Sequence, residues 1–128
     1  MRRPVVALAV AILAIGALTG GLAWLLDTPK PPPGADRARR LYYAFCAECH
    51  GVDGRGSWRA ALFLVRPGDL SKTSPTLPDQ YIGDLIRHGG SPIGRPGMPA
   101  FGSRLSDDDI ALLVRHVRSL ATQAPTRR

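Results

Sequence analysis

From Pro4 to Leu26 the chain carries no charged residue and is apolar at nearly every position; Arg2 and Arg3 precede this run and Asp27 closes it. About 20 consecutive apolar residues suffice to cross a bilayer as a helix. Secretory signals instead have apolar cores of about 7–15 residues, followed by a small-x-small cleavage site. The run ends Gly21-Leu22-Ala23-Trp24-Leu25-Leu26 without a convincing cleavage triplet, so it reads as an uncleaved transmembrane anchor over residues 4–26. Trp24 lies where an aromatic ring suits the membrane–water interface. Gly16 and Gly20 match the small-xxx-small pattern used by pairing helices. Two arginines stand ahead of the run and only Lys30 soon after it, so the positive-inside rule keeps the N-terminus cytoplasmic and sends the remainder outward.

Next come four prolines in Thr28-Pro29-Lys30-Pro31-Pro32-Pro33-Gly34. They favour an extended, stiff stalk on the order of 20 Å, at about 3.1 Å per residue, and residues 27–34 form the expected linker. Residues 35–128 make the expected outer domain. Apolar positions there take helical spacing three times. The first set is Ala38, Leu41, Tyr42 and Phe45, on a helix starting just after Gly34. The second is Tyr81, Ile82, Leu85 and Ile86, with Asp79 placed to cap and His88-Gly89-Gly90 to end it. The third is Ile110, Leu113, Val114, Val117, Leu120 and Ala121, fraying near Gln123 before Pro125. Ser106 caps this last helix, and Asp107, Asp108 and Asp109 face the positive end of its dipole. The stretches between, Gly51–Pro78 and Ser91–Leu105, are punctuated by Gly and Pro and read as loops, with one short helical piece over Ser57–Leu64. Sustained period-two alternation and internal repeats are both absent. The expected fold class is therefore all-α, a small domain with long loops behind one membrane helix and a Pro-rich linker. Three short helices cannot close a core alone in a domain of this size, so a bound group is expected to fill the middle.

Charge narrows the partners. Lys+Arg 17 against Asp+Glu 10 gives a formal net charge of +7, with Lys30 and Lys72 the only lysines. A basic balance suits nucleic acid, an anionic membrane surface or acidic protein partners. The arginines are scattered from Arg37 to Arg128 without a stripe or a reader motif, which speaks against nucleic acid.

Cys46-Ala47-Glu48-Cys49-His50 carries the chemistry. Its C-x-x-C-H spacing is that of a c-type haem attachment site. Two thiols three positions apart each reach one vinyl group of the porphyrin, and the next residue places an imidazole under the iron. Other uses of the pair fit less well. A dithiol redox site sits after a strand in an α/β unit, and no such pattern is present. A zinc site needs four ligands, and His50, His88 and His116 are far apart without a second paired cluster. A disulfide across two residues is strained.

With Gly51-Val52-Asp53-Gly54-Arg55-Gly56 after that motif, Gly97-Met98-Pro99-Ala100-Phe101-Gly102 and the Leu105-Ser106-Asp107 helix start, the chain resembles the small class I cytochromes c of bacteria over about Asp36 to Ala121. The resemblance implies an all-α fold whose first and last helices cross beside one covalent haem c. Here that crossing would set Tyr42 and Phe45 against Leu113, Val114 and Val117. It also implies Met98 as the distal iron ligand opposite His50. Met98 is the only methionine besides Met1, and it lies in a Pro/Gly-flanked loop rather than on a helical stripe. His88 and His116 are the rivals; the first suits a helix end and the second a solvated face. By the same resemblance the carbonyl of Pro67 accepts a hydrogen bond from the proximal imidazole, a contact that fixes ring orientation. Tyr81, Ile82, Ile86, Leu77 and Phe101 are expected as pocket wall, and Trp58 either touches a propionate or covers a loop.

Cofactor-binding residues are thus Cys46, Cys49, His50, Met98 and Pro67, with His50 and Met98 on the metal. Iron closed on both sides passes single electrons and does no bond chemistry, so the expected role is an electron carrier rather than an enzyme. Its expected place is the inner membrane, single-pass, haem domain on the periplasmic side. An oxidase, a quinol–cytochrome c oxidoreductase or a dehydrogenase would be its partner. The alternative is a haem enzyme or gas sensor with an open distal position.

Overall fold

The computed structural model describes residues 2–62 and 65–123. Helix α1, Arg2–Leu26, is exposed along its whole apolar length. Such a surface is compatible with a membrane anchor, since lipid rather than water is the solvent that suits it. Thr19 returns its hydroxyl to the Ile15 carbonyl at 2.9 Å, so its polarity is satisfied within the helix. The linker departs from the expected straight stalk. The Ala35 amide donates to the Pro32 carbonyl at 3.1 Å, closing a turn with Gly34 at φ 76°. Glycine at a positive φ overrides the extended preference of the prolines before it.

The remainder is helical, with no strand among the described residues. Helix α2, Arg37–Phe45, starts where the Asp36 side chain accepts from the Arg39 amide. Helix α3, Ala47–His50, follows at once, separated only by the non-helical Cys46. Helix α4 is Trp58–Leu62; the expected piece over Ser57–Leu64 also included residues 63–64, which lie outside the described residues. Helix α5, Leu70–Thr73, continues into a 3-10 turn at Ser74–Thr76. Asp69 caps it, accepting from the Ser71 amide at 3.0 Å. Helix α6 is Asp79–His88, a second 3-10 turn covers Ser91–Ile93, and helix α7 is Asp107–Leu120. Asp79 is not the cap of α6, as its sequence position suggests. Pro78 holds that place, and Asp79 accepts instead from Arg118 Nε of α7 at 2.6 Å.

The core forms where α2 and α6 lie on α7. Tyr42 and Leu113 are fully buried, with Val114 and Val117 beside them and Phe45 packed against the edge. The first and last helices of the domain therefore meet through the residues expected of them. Helix α7 is held at its start by the Ser106 cap and by Arg37, whose Nε and Nη2 grip Asp109 at 2.7 and 3.0 Å. Further along, Arg118 also donates to the Ser74 and Leu77 carbonyls, tying the segment before α6 to α7.

Candidate functional site

Helix α2 ends by handing its last bonds to the motif: the Cys46 amide donates to the Tyr42 carbonyl at 2.8 Å. Cys46 breaks the helix at φ −121°, and its carbonyl accepts from the amides of Cys49 and His50. One short turn thus sets both thiols and the imidazole, while Ala47 is driven into the core with no exposure. The turn is closed from outside. Tyr42 donates its hydroxyl to the Gly51 carbonyl at 2.8 Å, and the Gly56 amide donates to the His50 carbonyl at 2.7 Å. Gly51 sits at φ 77°, where a Cβ would stand 2.8 Å from the Gly56 carbonyl oxygen, so no larger residue fits the loop.

No disulfide joins Cys46 and Cys49. Burial, then the neighbouring Cys49, pushes the Cys46 thiol up to about 12. Burial, then Glu48, raises Cys49 as well. Such thiols lack the depressed pKa that reactive redox cysteines need. Burial also lowers the pKa of His50, keeping its imidazole neutral as metal ligation requires, while the Gly68 backbone pulls weakly the other way. His50 Nδ1 itself is buried and makes no well-formed hydrogen bond. The bond expected to the Pro67 carbonyl does not form here. Pro67 lines the site, but the backbone group acting on the ring is one residue further on.

Beside this turn lies a cavity of about 990 Å³. Cys49, His50, Pro67 and Met98 line it, and Cys46 packs at the adjoining core. Helix α6 divides its apolar residues between two faces. Tyr81 and Leu85 line the cavity, together with Leu77 from the preceding turn. Ile82, Ile86 and Phe101, expected in the wall, instead belong to the core behind it. Helical periodicity shows that a position is buried, not which of two apolar neighbours covers it. Val65, Leu70 and Ile93 complete the wall from segments read as loop. Arg66 and Arg95 line it too, with no carboxylate among the described lining residues, so the local field suits an anionic group.

Met98 reaches the cavity on a loop fastened to the end of α6. The Gly90 amide donates to the Met98 carbonyl at 2.9 Å, the Phe101 amide to Ile86 at 3.0 Å and the Gly102 amide to Arg87 at 3.0 Å. Gly89 makes the approach possible: at φ 75°, its Cβ would stand 2.8 Å from the Met98 carbonyl oxygen. Sequence reading used Gly89 only as a helix stop; its second task depends on a backbone passing alongside, which no local pattern records. The rival histidines do not line the cavity. His88 is exposed. His116 is half-buried rather than solvated, its ring 4.8 Å from that of Tyr42. Trp58 lies outside the cavity lining as well.

The chain's donors fit a haem on three grounds: two thiols on one turn, one of them at the cavity; a buried, neutral imidazole lining it; and a thioether on a separate loop. An all-helical domain built around that set is of the monohaem cytochrome c class, which binds covalently attached haem c with its iron. Residues 33–117 match the family described as cytochrome C oxidase, cbb3-type, subunit III, and the chain belongs to that family, whose cytochrome c domain serves haem-based electron transfer.

Proposed function

We propose that the protein passes single electrons through one haem c, joined to Cys46 and Cys49 by thioethers and ligated by His50 and Met98. In this reading residues 4–26 anchor it and residues 27–34 link the anchor to a haem domain of residues 35–128, facing the periplasm from the inner membrane. It works as a tethered carrier or as the haem subunit of a respiratory complex. What supports the reading is that a single cavity gathers Cys49, His50 and Met98 from segments far apart in the chain. The family's description as an oxidase subunit favours a terminal oxidase as partner, with a quinol–cytochrome c oxidoreductase or a dehydrogenase as the other candidates.

When bound, haem supplies an iron that takes up and releases one electron. The chain's part is to hold and enclose it. The turn from Cys46 to His50 fixes attachment and the proximal ring together. The loop bonded to α6 presents the Met98 sulfur, a soft ligand that favours ferrous iron and raises the potential. Leu77, Tyr81 and Leu85 exclude water from that side. His50 and Met98 would together hold the iron and leave oxygen and peroxide no place to bind.

Met98→Ala tests the ligation. The expected result is a changed visible spectrum and a reduction potential lowered by a measurable part of the roughly 0.8 V that axial ligands span. An unchanged spectrum would mean an open distal position, as in a haem enzyme or gas sensor, and the carrier reading would fall.

A further inference from the structure

Trp24 and Trp58 are the chain's two tryptophans, and they meet. Their rings stack with centroids 5.0 Å apart and planes within 18°, joining the last turn of α1 to the start of α4. Arg59, the next residue on α4, lies 5.3 Å from the Trp58 ring centre and donates from Nη2 to the Trp24 carbonyl at 3.0 Å. That carbonyl is among the last four of α1, which have no acceptor role left inside the helix. Helix α1 has no basic residue in its own last turn. A cation from α4 therefore complements the negative end of the α1 dipole.

The contact leaves much apolar surface uncovered. Trp58 is 50% exposed, and Leu62, one turn later on the same face of α4, is 59% exposed, whereas Ala60 turns inward at 4%. Arg55 and Arg66 flank the helix in the chain. A short element offering Trp and Leu outward, carrying Arg59 and fixed beside the end of an apolar span, has the makeup of one lying in the headgroup region.

We propose that α4 is a second, in-plane membrane contact. Together with Trp24 and Arg59 it seats the haem domain on the lipid surface where α1 emerges, with Trp58 and Leu62 facing lipid. This rests on the anchor reading of α1 given above. The consequence is orientation as well as height, because α4 hangs directly from the attachment turn: the Ser57 amide donates to the Cys49 carbonyl at 2.9 Å. A haem held by that turn would keep one tilt against the membrane plane.

Linear dichroism of the Soret band decides the matter, measured on the full-length holoprotein in oriented bilayers of phosphatidylcholine and phosphatidylglycerol. A seated domain gives a dichroic band; a domain swinging on its linker averages it away. The double variant Trp58→Ala/Leu62→Ser, altered only at exposed positions, is expected to lose most of the dichroism while its isotropic spectrum stays unchanged. Arg59→Gln is expected to do the same. Flotation with vesicles reports separately on α1. Protein that does not float overturns the anchor reading and the seating with it. Protein that floats without dichroism, or a double variant that keeps the full signal, overturns the seating alone.

Discussion

Tyr42 and Gly89 do for the two halves of the site what the ligands cannot do for themselves. Tyr42 is fully buried and its hydroxyl ends on the Gly51 carbonyl, so it joins the domain's first helix to the loop behind His50. Tyr42→Phe leaves that carbonyl only the long bond from the Gly54 amide, at 3.4 Å, and is expected to cost about 0.5–1.5 kcal/mol, read from denaturant unfolding of the holoprotein. Gly89→Ala forces a Cβ into a positive φ and against the Met98 carbonyl. About 1–3 kcal/mol of local strain is expected, together with partial loss of the methionine-ligated spectrum; an unaltered spectrum would show that the loop tolerates the displacement. The two residues differ in how far the sequence discloses them. Tyr42 was visible as a core position through its spacing from Leu41 and Phe45, though not as a donor to Gly51. Cys46, Cys49 and His50 could be picked out because attachment chemistry demands neighbours in the chain. The unpartnered Nδ1 of His50 could not be foreseen, since it depends on how the segment from Pro67 to Gly68 passes the ring.

Among the helices, α7 organises the domain, and its two ends respond to acid in different windows. Asp109 is held below the ordinary carboxylate range, first by the Arg37 hydrogen bond and then, against burial, by Ser106. A carboxylate depressed on folding adds stability above its unfolded pKa of about 3.9 and loses it as pH falls through the lower folded value. Asp109→Asn should therefore flatten the stability loss below about pH 4. His116 is lowered mainly by burial and then by Arg39. Its neutral form is favoured by folding, so its contribution is full above the unfolded value of about 6.5 and disappears as the pH drops through its lower folded pKa. Unfolding of His116→Gln measured against pH should lack that earlier decline. The long helices were readable because each repeats its apolar stripe over several turns. Helix α5 and the 3-10 turns at Ser74–Thr76 and Ser91–Ile93 are too short for any period to show. Their prolines were instead read as loop punctuation, and the capping role of Asp69 was not read at all.

At the scale of the molecule, residues 35–128 are cationic, with Lys+Arg 14 against Asp+Glu 9 and arginine supplying nearly all of the basic residues. Attraction to an acidic docking patch is screened by salt. The second-order rate of electron transfer to a membrane oxidase should fall as ionic strength rises, and a rate indifferent to salt would remove electrostatic steering from the account. The order of apolar helix, proline-rich segment and shorter helices was plain from hydropathy and proline content. The turn at Pro32–Ala35 was not, because Gly34 at positive φ overrides the prolines before it; nor was the meeting of Trp24 with Trp58, which depends on where a distant helix comes to rest. One feature of the ligand loop also bears on its motion. The Gly90 amide, just past α6, donates to the Met98 carbonyl, and the Phe101 and Gly102 amides of the loop donate back to Ile86 and Arg87 of α6, so three bonds hold the two stretches of backbone together. For Met98 to leave the cavity, the loop must peel from α6 as a unit. These three protons should therefore exchange with deuterium at one shared rate, slower than that of the surface amides around them.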